Sequence, residues 1–386
     1  MALSTENLIT IIFYAVVILL LIIYRKKFEF QGKIIALRRL KFGIKFMQRF
    51  ADKHAETFKL LGYVGIGIGF AGMIFMLYTL GDAFLNLFLT PSAPAAVAPL
   101  VPGVKIPGSP LDIPLWVIIP LFFVVLIHEA GHGLVAKAHK IPIINTGIVF
   151  FGPIAGAFVE PDEKKLQKAS DVIKLSVFSA GPFFNALTAL VVFVLMTVAI
   201  TPLGNSLAAA GGFTFDAVQE GYPAMIAGVQ PQVVYDHVNG QEVLTVEDLL
   251  VSLDTLKPGD TVEFSNDDSS VTVTTTQHPD DATKAYIGVT GIRTAFERKA
   301  EVPAVLYGFV QGLSLFLFWI FLLSIGLGAF NLLPLGPVDG GQMSKLSLSR
   351  MYGEKKGILI WGRISLLLFM IILALLIVPI FRAVIA

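Results

Sequence analysis

The sequence contains no cysteine, and only 15% of its 386 residues are charged. Without cysteine, disulfide bonds and thiolate-ligated metal sites are excluded. The scarcity of charge, with 55% hydrophobic residues and a mean hydropathy of +0.76, lies outside the range of soluble globular proteins. A net charge of +1 gives no indication of nucleic-acid binding. The composition therefore predicts a protein that resides in the lipid bilayer.

Six apolar stretches are long enough to cross a bilayer, whose hydrocarbon core of about 30 Å requires roughly 20 apolar residues in a helix. They are Leu8–Tyr24, Phe58–Leu80, Leu115–Ala136, Leu175–Ile200, Val305–Leu333 and Ile358–Phe381. Glu6 precedes the first stretch and Arg25 follows it, so we interpret this stretch as a retained signal anchor rather than a cleavable signal. The predicted fold class is a polytopic α-helical membrane protein with about six transmembrane helices and one inserted soluble α+β domain.

Charge is distributed unevenly along the chain. Residues 25–57 carry ten Lys or Arg against three acidic residues, whereas residues 201–300 carry fourteen acidic residues against five basic ones. Because short basic loops remain in the cytoplasm, residues 25–57, 137–174 and 334–357 are predicted to lie inside and the acidic segment outside.

This pattern divides the chain into five parts. They are an anchor with a basic segment (1–57), a second span with an external Pro/Ala-rich linker (58–113), the first half of a core (114–204), an external soluble domain (205–300), and the second half of the core with the last span (301–386).

The third stretch contains His128-Glu129-Ala130-Gly131-His132, which is an H-E-x-x-H pattern. Histidines at positions i and i+4 share one face of a helix and can bind one zinc ion, and Glu129 is placed to act as general base on the metal-bound water. Such residues inside hydrocarbon cost several kcal/mol unless they are paired or bound to metal. The pattern predicts one catalytic zinc per chain, submerged toward the cytoplasmic leaflet.

A catalytic zinc takes three protein ligands and leaves one position open, so a third ligand is required. Asp339 is the main candidate, because it follows the fifth stretch where Pro334, Pro337 and several glycines interrupt the helix. Unwound backbone at membrane depth is tolerated where it is buried in protein or lines a cavity. Glu160 or Glu163, in the loop after the third stretch, remain alternative ligands, and Asp339 as a simple helix cap remains a structural alternative.

Residues 141–161 alternate apolar residues with Gly147, Gly152 and Gly156, which is typical of short strands joined by a tight turn. A hairpin at the membrane surface is therefore predicted, and Gly147–Val159 offers an edge to an extended substrate. A plain connecting loop is the alternative.

Residues 211–298 differ from their surroundings in polarity and acidity, which predicts a separate soluble domain. Asn239-Gly240 predicts a type I′ hairpin turn, and Thr245-x-x-Asp248 predicts the start of a helix. The order of Gly-Tyr-Pro-Ala, hairpin, helix, Pro-Gly and strand pair resembles a circularly permuted bacterial PDZ domain. That resemblance implies a carboxylate-binding loop for a peptide tail, with two candidate segments. Their residues are Gly221, Tyr222, Pro223 and Ala224, and Tyr286, Ile287, Gly288 and Val289.

Taken together, the motifs resemble the site-2 protease family. That family combines H-E-x-x-H in one span with N-x-x-P-x-x-x-x-D-G in a later one, here Asn331 to Gly340, and Ser179-Ala-Gly-Pro-Phe-Phe-Asn185 is similar to its intervening helix motif. The resemblance implies an intramembrane zinc metalloprotease acting on transmembrane protein substrates, with Asn185 and Asn331 as candidates for binding substrate or an oxyanion. An interhelical hydrogen bond is the plainer role for Asn185. A zinc protease of another family, a transporter and a silent scaffold are the rival functions.

Overall fold

The computed structural model describes residues 5–31, 35–89, 97, 99–104, 112–152, 154–279 and 281–385. Most of the Pro/Ala-rich linker at 91–114 lies outside these residues. The chain forms two compact units, one comprising Met1–Met196 with Leu315–Ala386 and the other Thr197–Ser314.

Within the described residues, six helical segments are long and apolar enough to cross a membrane. They are Glu6–Ile23, Ala55–Leu89, Leu115–Ala138, Asp171–Leu207, Ala304–Asn331 and Glu354–Arg382. The predicted number of spans and the predicted fold class are therefore confirmed. The main helices of these spans are α1 (Thr5–Ile23), α3 (Ala55–Leu89), α4 (Ile118–Ala138), α6 (Asp171–Leu195), α10 (Ala304–Asn331) and α12 (Glu354–Ile385). Three shorter helices of the first unit are α2 (Ile44–Lys53), α5 (Glu163–Lys168) and α11 (Asp339–Tyr352).

Helix α3 packs closely on its neighbours through a row of glycines. A Cβ atom added at Gly62 would lie 2.8 Å from Val135 of α4, and one at Gly72 would lie 2.5 Å from the Leu332 side chain. In lipid, helices associate through such close packing because apolar surface alone gives no preference for protein over hydrocarbon. Helix α3 therefore packs against the elements that carry the H-E-x-x-H pattern and the helix break before Asp339, a role that no motif in its own sequence indicates.

A four-stranded antiparallel sheet has the order β1-β2-β3-β4, with β1 at Glu29–Gln31, β2 at Ile35–Leu40, β3 at Ile143–Phe151 and β4 at Ile154–Pro161. The predicted hairpin at 141–161 is thus confirmed as β3 and β4. Strands β1 and β2 were not predicted, because their pairing with β3 joins residues more than 100 positions apart. Strand β4 forms an edge of this sheet among the described residues.

The predicted helix break after the fifth span is also present. Helix α10 ends at Asn331 and α11 begins at Asp339, with a tight turn between them. A Cβ atom at Gly340 would lie 2.2 Å from the Leu332 carbonyl oxygen, so only glycine lets the backbone approach this closely. This turn sets the position of Asp339 at the start of α11.

The second unit contains strands β5 to β12 and helices α7 to α9. The strands are β5 (Ala208–Val218), β6 (His237–Val238), β7 (Gln241–Glu242), β8 (Thr261–Ser265), β9 (Ser270–Thr274), β10 (Thr276–His278), β11 (Asp281–Tyr286) and β12 (Val289–Arg298), and the helices are α7 (Thr201–Leu207), α8 (Pro223–Ala227) and α9 (Val246–Asp254). Its core includes Phe213, Phe215, Tyr235, Phe264 and Leu249. The long β5–β12 pair was not predicted, because the Ala/Gly-rich start of β5 carries little strand propensity.

Local predictions in this unit are confirmed. Asn239 and Gly240 both have positive φ angles, 51° and 75°, between β6 and β7, as a type I′ turn requires. The Thr245 side chain accepts a hydrogen bond from the Asp248 N–H at the start of α9. The unit is a small α+β domain built around these elements.

The two candidate peptide-binding segments lie against each other. The Ala224 N–H donates to the Ile287 carbonyl at 2.8 Å and the Tyr222 N–H donates to Gln219, while Pro223 has no N–H. Most of the donors in Gly221–Ala224 are therefore engaged or absent. Tyr286 and Val289 are likewise paired, with Thr276 of β10 and Val218 of β5, so a carboxylate loop in either segment stays a prediction.

Candidate metal centre

Helix α4 places His128 and His132 one turn apart, so that their rings face the same side. The two Nε2 atoms lie 3.3 Å apart, and both rings are largely shielded from solvent. The Nδ1 atom of His132 lies 2.7 Å from the carbonyl oxygen of Val177 on α6. A proton on Nδ1 donated to this carbonyl leaves Nε2 as the nitrogen with a free lone pair.

Asp339, the first residue of α11, reaches both histidines. Its Oδ2 atom lies 3.1 Å from His128 Nε2 and 3.3 Å from His132 Nε2. Among the described residues no other donor satisfies this buried oxygen. The N-cap residue of α11 is Val338 rather than Asp339, which argues against a capping role for Asp339.

The three atoms have the spacing of a metal site. Ligands held at about 2.0–2.1 Å in a tetrahedron around zinc lie about 3.3–3.4 Å from one another. The observed separations of 3.1, 3.3 and 3.3 Å approach this value, and no other group of three metal-ligating side chains occurs in the described part of the chain. The donor set of two imidazoles and one carboxylate suits zinc.

Gly181 of α6 lies directly beside these atoms. A Cβ atom at this position would lie 2.3 Å from His132 Nε2 and 2.5 Å from His128 Nε2. The absence of a side chain here keeps the space in front of the two nitrogens open. Small residues on a membrane helix also let neighbouring helices approach closely, and no local signal in the sequence distinguishes the two roles.

Asn185, one turn further along α6, is fully buried and contacts the first histidine. Its Nδ2 atom lies 3.1 Å from His128 Nδ1. The geometry matches the interhelical hydrogen bond that the sequence analysis left open. Asn331 instead donates from Nδ2 to the Leu327 carbonyl of its own helix at 2.9 Å, and its role in substrate binding stays a prediction.

Glu129 faces strand β4. Its Oε2 atom accepts a hydrogen bond from the Val159 N–H at 2.9 Å. Because this N–H is directed at Glu129, the backbone of Val159 is turned away from β3. Alternate residues of a strand turn the same way, so the backbone groups of Ala157 also face the open edge. The Glu129 carboxylate therefore adjoins the edge of the sheet.

The alternative ligands lie elsewhere in the fold. The Glu160 carboxylate accepts hydrogen bonds from Asn145 and Arg39, both at 3.0 Å, and these bonds hold the pKa of Glu160 below its usual range. Glu163 is exposed in the first turn of α5. His139, which follows the last residue of α4, is half-buried and lies 3.2 Å from the Ser176 hydroxyl of α6. None of these residues joins the cluster of His128, His132 and Asp339.

Comparison with known proteins agrees with this arrangement. The sequence model of peptidase family M50 matches residues 116–373, which is more than half of the chain and includes all three residues of the cluster. The chain is also similar to the uncharacterized protein MJ0971 of Methanocaldococcus jannaschii, with 26% identity over 314 residues, covering 80% of this chain and 76% of that protein. This chain therefore belongs to peptidase family M50, the site-2 protease family, and is a multi-pass membrane metallopeptidase.

Proposed function

We propose that the protein is a zinc endopeptidase that cleaves transmembrane segments of other membrane proteins. The observation that carries the proposal is the convergence of His128, His132 and Asp339 at tetrahedral ligand spacing, beside Glu129. One zinc ion per chain, held by these three side chains, would supply Lewis-acid chemistry that activates water and polarises a peptide carbonyl.

Glu129 acts as the general base in this proposal. The Val159 N–H holds Oε2, which leaves Oε1 to accept the proton of the attacking water and to return it to the leaving amine. The bond to Val159 also fixes the carboxylate in one orientation, because the strand is rigidly paired with β3. No covalent bond between enzyme and substrate is required.

Strand β4 receives the substrate. A transmembrane helix hides its carbonyl groups in internal hydrogen bonds, so the segment to be cut must first become extended. The open backbone groups of Ala157 can pair with such a segment by strand addition, whereas the Val159 N–H is already bonded to Glu129. Because Val159 also contacts Glu129, a strand added here would run past the base. Helix-breaking residues in a substrate should favour cleavage.

The charge distribution supports a topology with the soluble domain outside the cell and the metal centre nearer the cytoplasmic leaflet. The domain, at about 205–300, then acts on substrate access. It either binds a peptide tail through Gly221–Ala224 or Tyr286–Val289, or excludes bulky ectodomains by size, and we favour exclusion. The five-part division of the chain given above follows from the same topology.

The proposal is tested with purified protein and a fluorogenic substrate that contains one transmembrane helix. Wild type should contain about one zinc per chain and cleave within that helix. Asp339→Asn should lower zinc affinity, since a neutral amide is a poorer ligand, whereas Glu160→Gln should leave it unchanged. Release of zinc by Glu160→Gln, with wild-type zinc affinity in Asp339→Asn, would refute the assignment of the third ligand.

A further inference from the structure

Two features of Asn185 need a joint explanation. Its Nδ2 atom faces His128 Nδ1 at 3.1 Å, and its Oδ1 atom is buried without a hydrogen-bond partner in the described structure. A buried carbonyl oxygen without a donor costs about 1–3 kcal/mol. An amide has an oxygen on one side and NH2 on the other, so its two orientations present opposite hydrogen-bonding groups to the ring.

The orientation of the amide is linked to the tautomer of His128. With NH2 directed at Nδ1, that nitrogen must accept, so the ring carries its proton on Nε2, and Nε2 then has no lone pair for a metal. With the amide rotated by 180°, Oδ1 accepts from Nδ1–H and the lone pair of Nε2 points toward Asp339 and His132. The rotated state gives the orphaned Oδ1 its donor, while the NH2 group gives up its contact with Nδ1.

We propose that Asn185 is a positioning residue that fixes the metal-binding tautomer of His128, and that its amide presents oxygen to Nδ1 when zinc is bound. This inference rests on the proposed function of the site. It gives Asn185 a role through the ligand rather than through contact with the substrate or an oxyanion.

The two histidines are then held by different means. His132 donates to the main-chain carbonyl of Val177, which cannot exchange donor for acceptor. His128 instead faces the side-chain amide of Asn185, which can present either a donor or an acceptor to its Nδ1 atom. The Asn185 side chain is confined, because α10 approaches it at Gly328, where an added Cβ atom would lie 3.1 Å from Asn185 Cβ and 3.3 Å from the Pro182 carbonyl. A rotation of the planar amide by 180° exchanges its oxygen and NH2 group at nearly the same volume, so the two orientations fit one confined side-chain position.

Zinc affinity, measured by competition with a chelator on purified protein, tests this role without reference to catalysis. Asn185→Leu removes the acceptor at similar volume and should weaken zinc binding about 10- to 100-fold, which is the usual effect of losing the partner of a ligating histidine. Asn185→Asp keeps an acceptor in both orientations and should bind zinc at least as tightly as wild type. Thr188→Val is the matched control, because Thr188 lies on the same helix and bonds only the Phe184 carbonyl among the contacts described.

Three outcomes separate the possibilities. If Asn185→Leu keeps wild-type zinc affinity and loses only turnover, the side chain serves the oxyanion or the substrate and the inference is wrong. Equal weakening by Asn185→Asp and Asn185→Leu would also overturn it, because an acceptor would then be of no use. If Asp339→Asn too leaves zinc affinity unchanged, the proposed function itself fails. Thermal unfolding of each zinc-free variant shows whether a loss reflects misfolding.

Discussion

Substitution of Gly181 by alanine adds a single methyl group and is expected to cause a large loss of zinc affinity. The added Cβ atom would lie 2.3 Å from His132 Nε2 and 2.5 Å from His128 Nε2, whereas ordinary carbon–nitrogen contacts are about 1 Å longer. Both rings would have to retreat by about that distance. Metal–ligand distances are maintained within about 0.2 Å, so under the proposed function neither histidine could accommodate the methyl group and still hold a zinc ion.

We expect Gly181→Ala to lower zinc affinity at least about 100-fold, which is roughly 2.8 kcal/mol of binding free energy because a tenfold change equals about 1.4 kcal/mol. Proteolysis should fall at least as far, since a displacement of 1 Å alone costs about 100-fold in rate. A loss of zinc affinity in this variant cannot be attributed to a weaker helix, because alanine is favoured over glycine inside a helix by about 1 kcal/mol. Helix propensity alone would make the variant more stable.

Gly326→Ala is the matched control. Gly326 lies in helix α10, and an added Cβ atom there meets no heavy atom within 4 Å. This variant should keep wild-type zinc affinity and an equal or higher unfolding temperature. Chelator competition and cleavage of the transmembrane substrate are measured on both variants. Zinc affinity in Gly181→Ala within twofold of wild type would refute the placement of this glycine against the two ligating nitrogens.

Three further outcomes are expected. Hydrogen bonds from Asn145 and Arg39 lower the pKa of Glu160, so they stabilise the fold above the ordinary Glu pKa of about 4.3, and this stability is lost as pH falls through the lowered pKa. The difference in unfolding temperature between wild type and Glu160→Gln should therefore be present at pH 7 and vanish in acid. A difference that persists in acid would contradict this cause. An impermeant thiol reagent should label Asp267→Cys in intact cells, since the chain has no other cysteine, and protection of that thiol until the cells are opened would reverse the topology. Ala208 and Arg298 are paired at the ends of β5 and β12, so a short linker can replace the residues between them. This deletion variant should still cleave a substrate that has no ectodomain. Loss of cleavage in a well-folded deletion variant would show that the domain is needed to assemble the site.

The features that could be predicted are those carried by local sequence. The spans follow from long apolar runs, and the helix break before Asp339 follows from the prolines and glycines that cannot continue a helix. The turn at Asn239-Gly240 and the helix start at Thr245 follow from backbone preferences of one or two residues.

The features that escaped prediction depend on residues distant in sequence. Strand β2 pairs with β3 across more than 100 residues, and its basic character indicated only a cytoplasmic loop. The contact of Gly181 with the two ring nitrogens arises from the crossing of α4 and α6. The sequence alone does not show whether a glycine makes room for a neighbouring helix or for the space in front of these nitrogens. The link between Asn185 and His128 likewise requires the packed structure, because the sequence gives the residue type but not its partner.

The measurement that tests the central claim most directly is zinc-edge X-ray absorption on purified Glu129→Gln protein. This variant removes the base and keeps all three ligands, so slow self-cleavage or turnover cannot alter the sample. We predict about one zinc per chain with nitrogen and oxygen neighbours at about 2.0–2.1 Å, including the scattering pattern of two imidazole rings. Protein that is folded but binds no zinc, or zinc coordinated by fewer than two imidazoles, would contradict a centre formed by His128, His132 and Asp339.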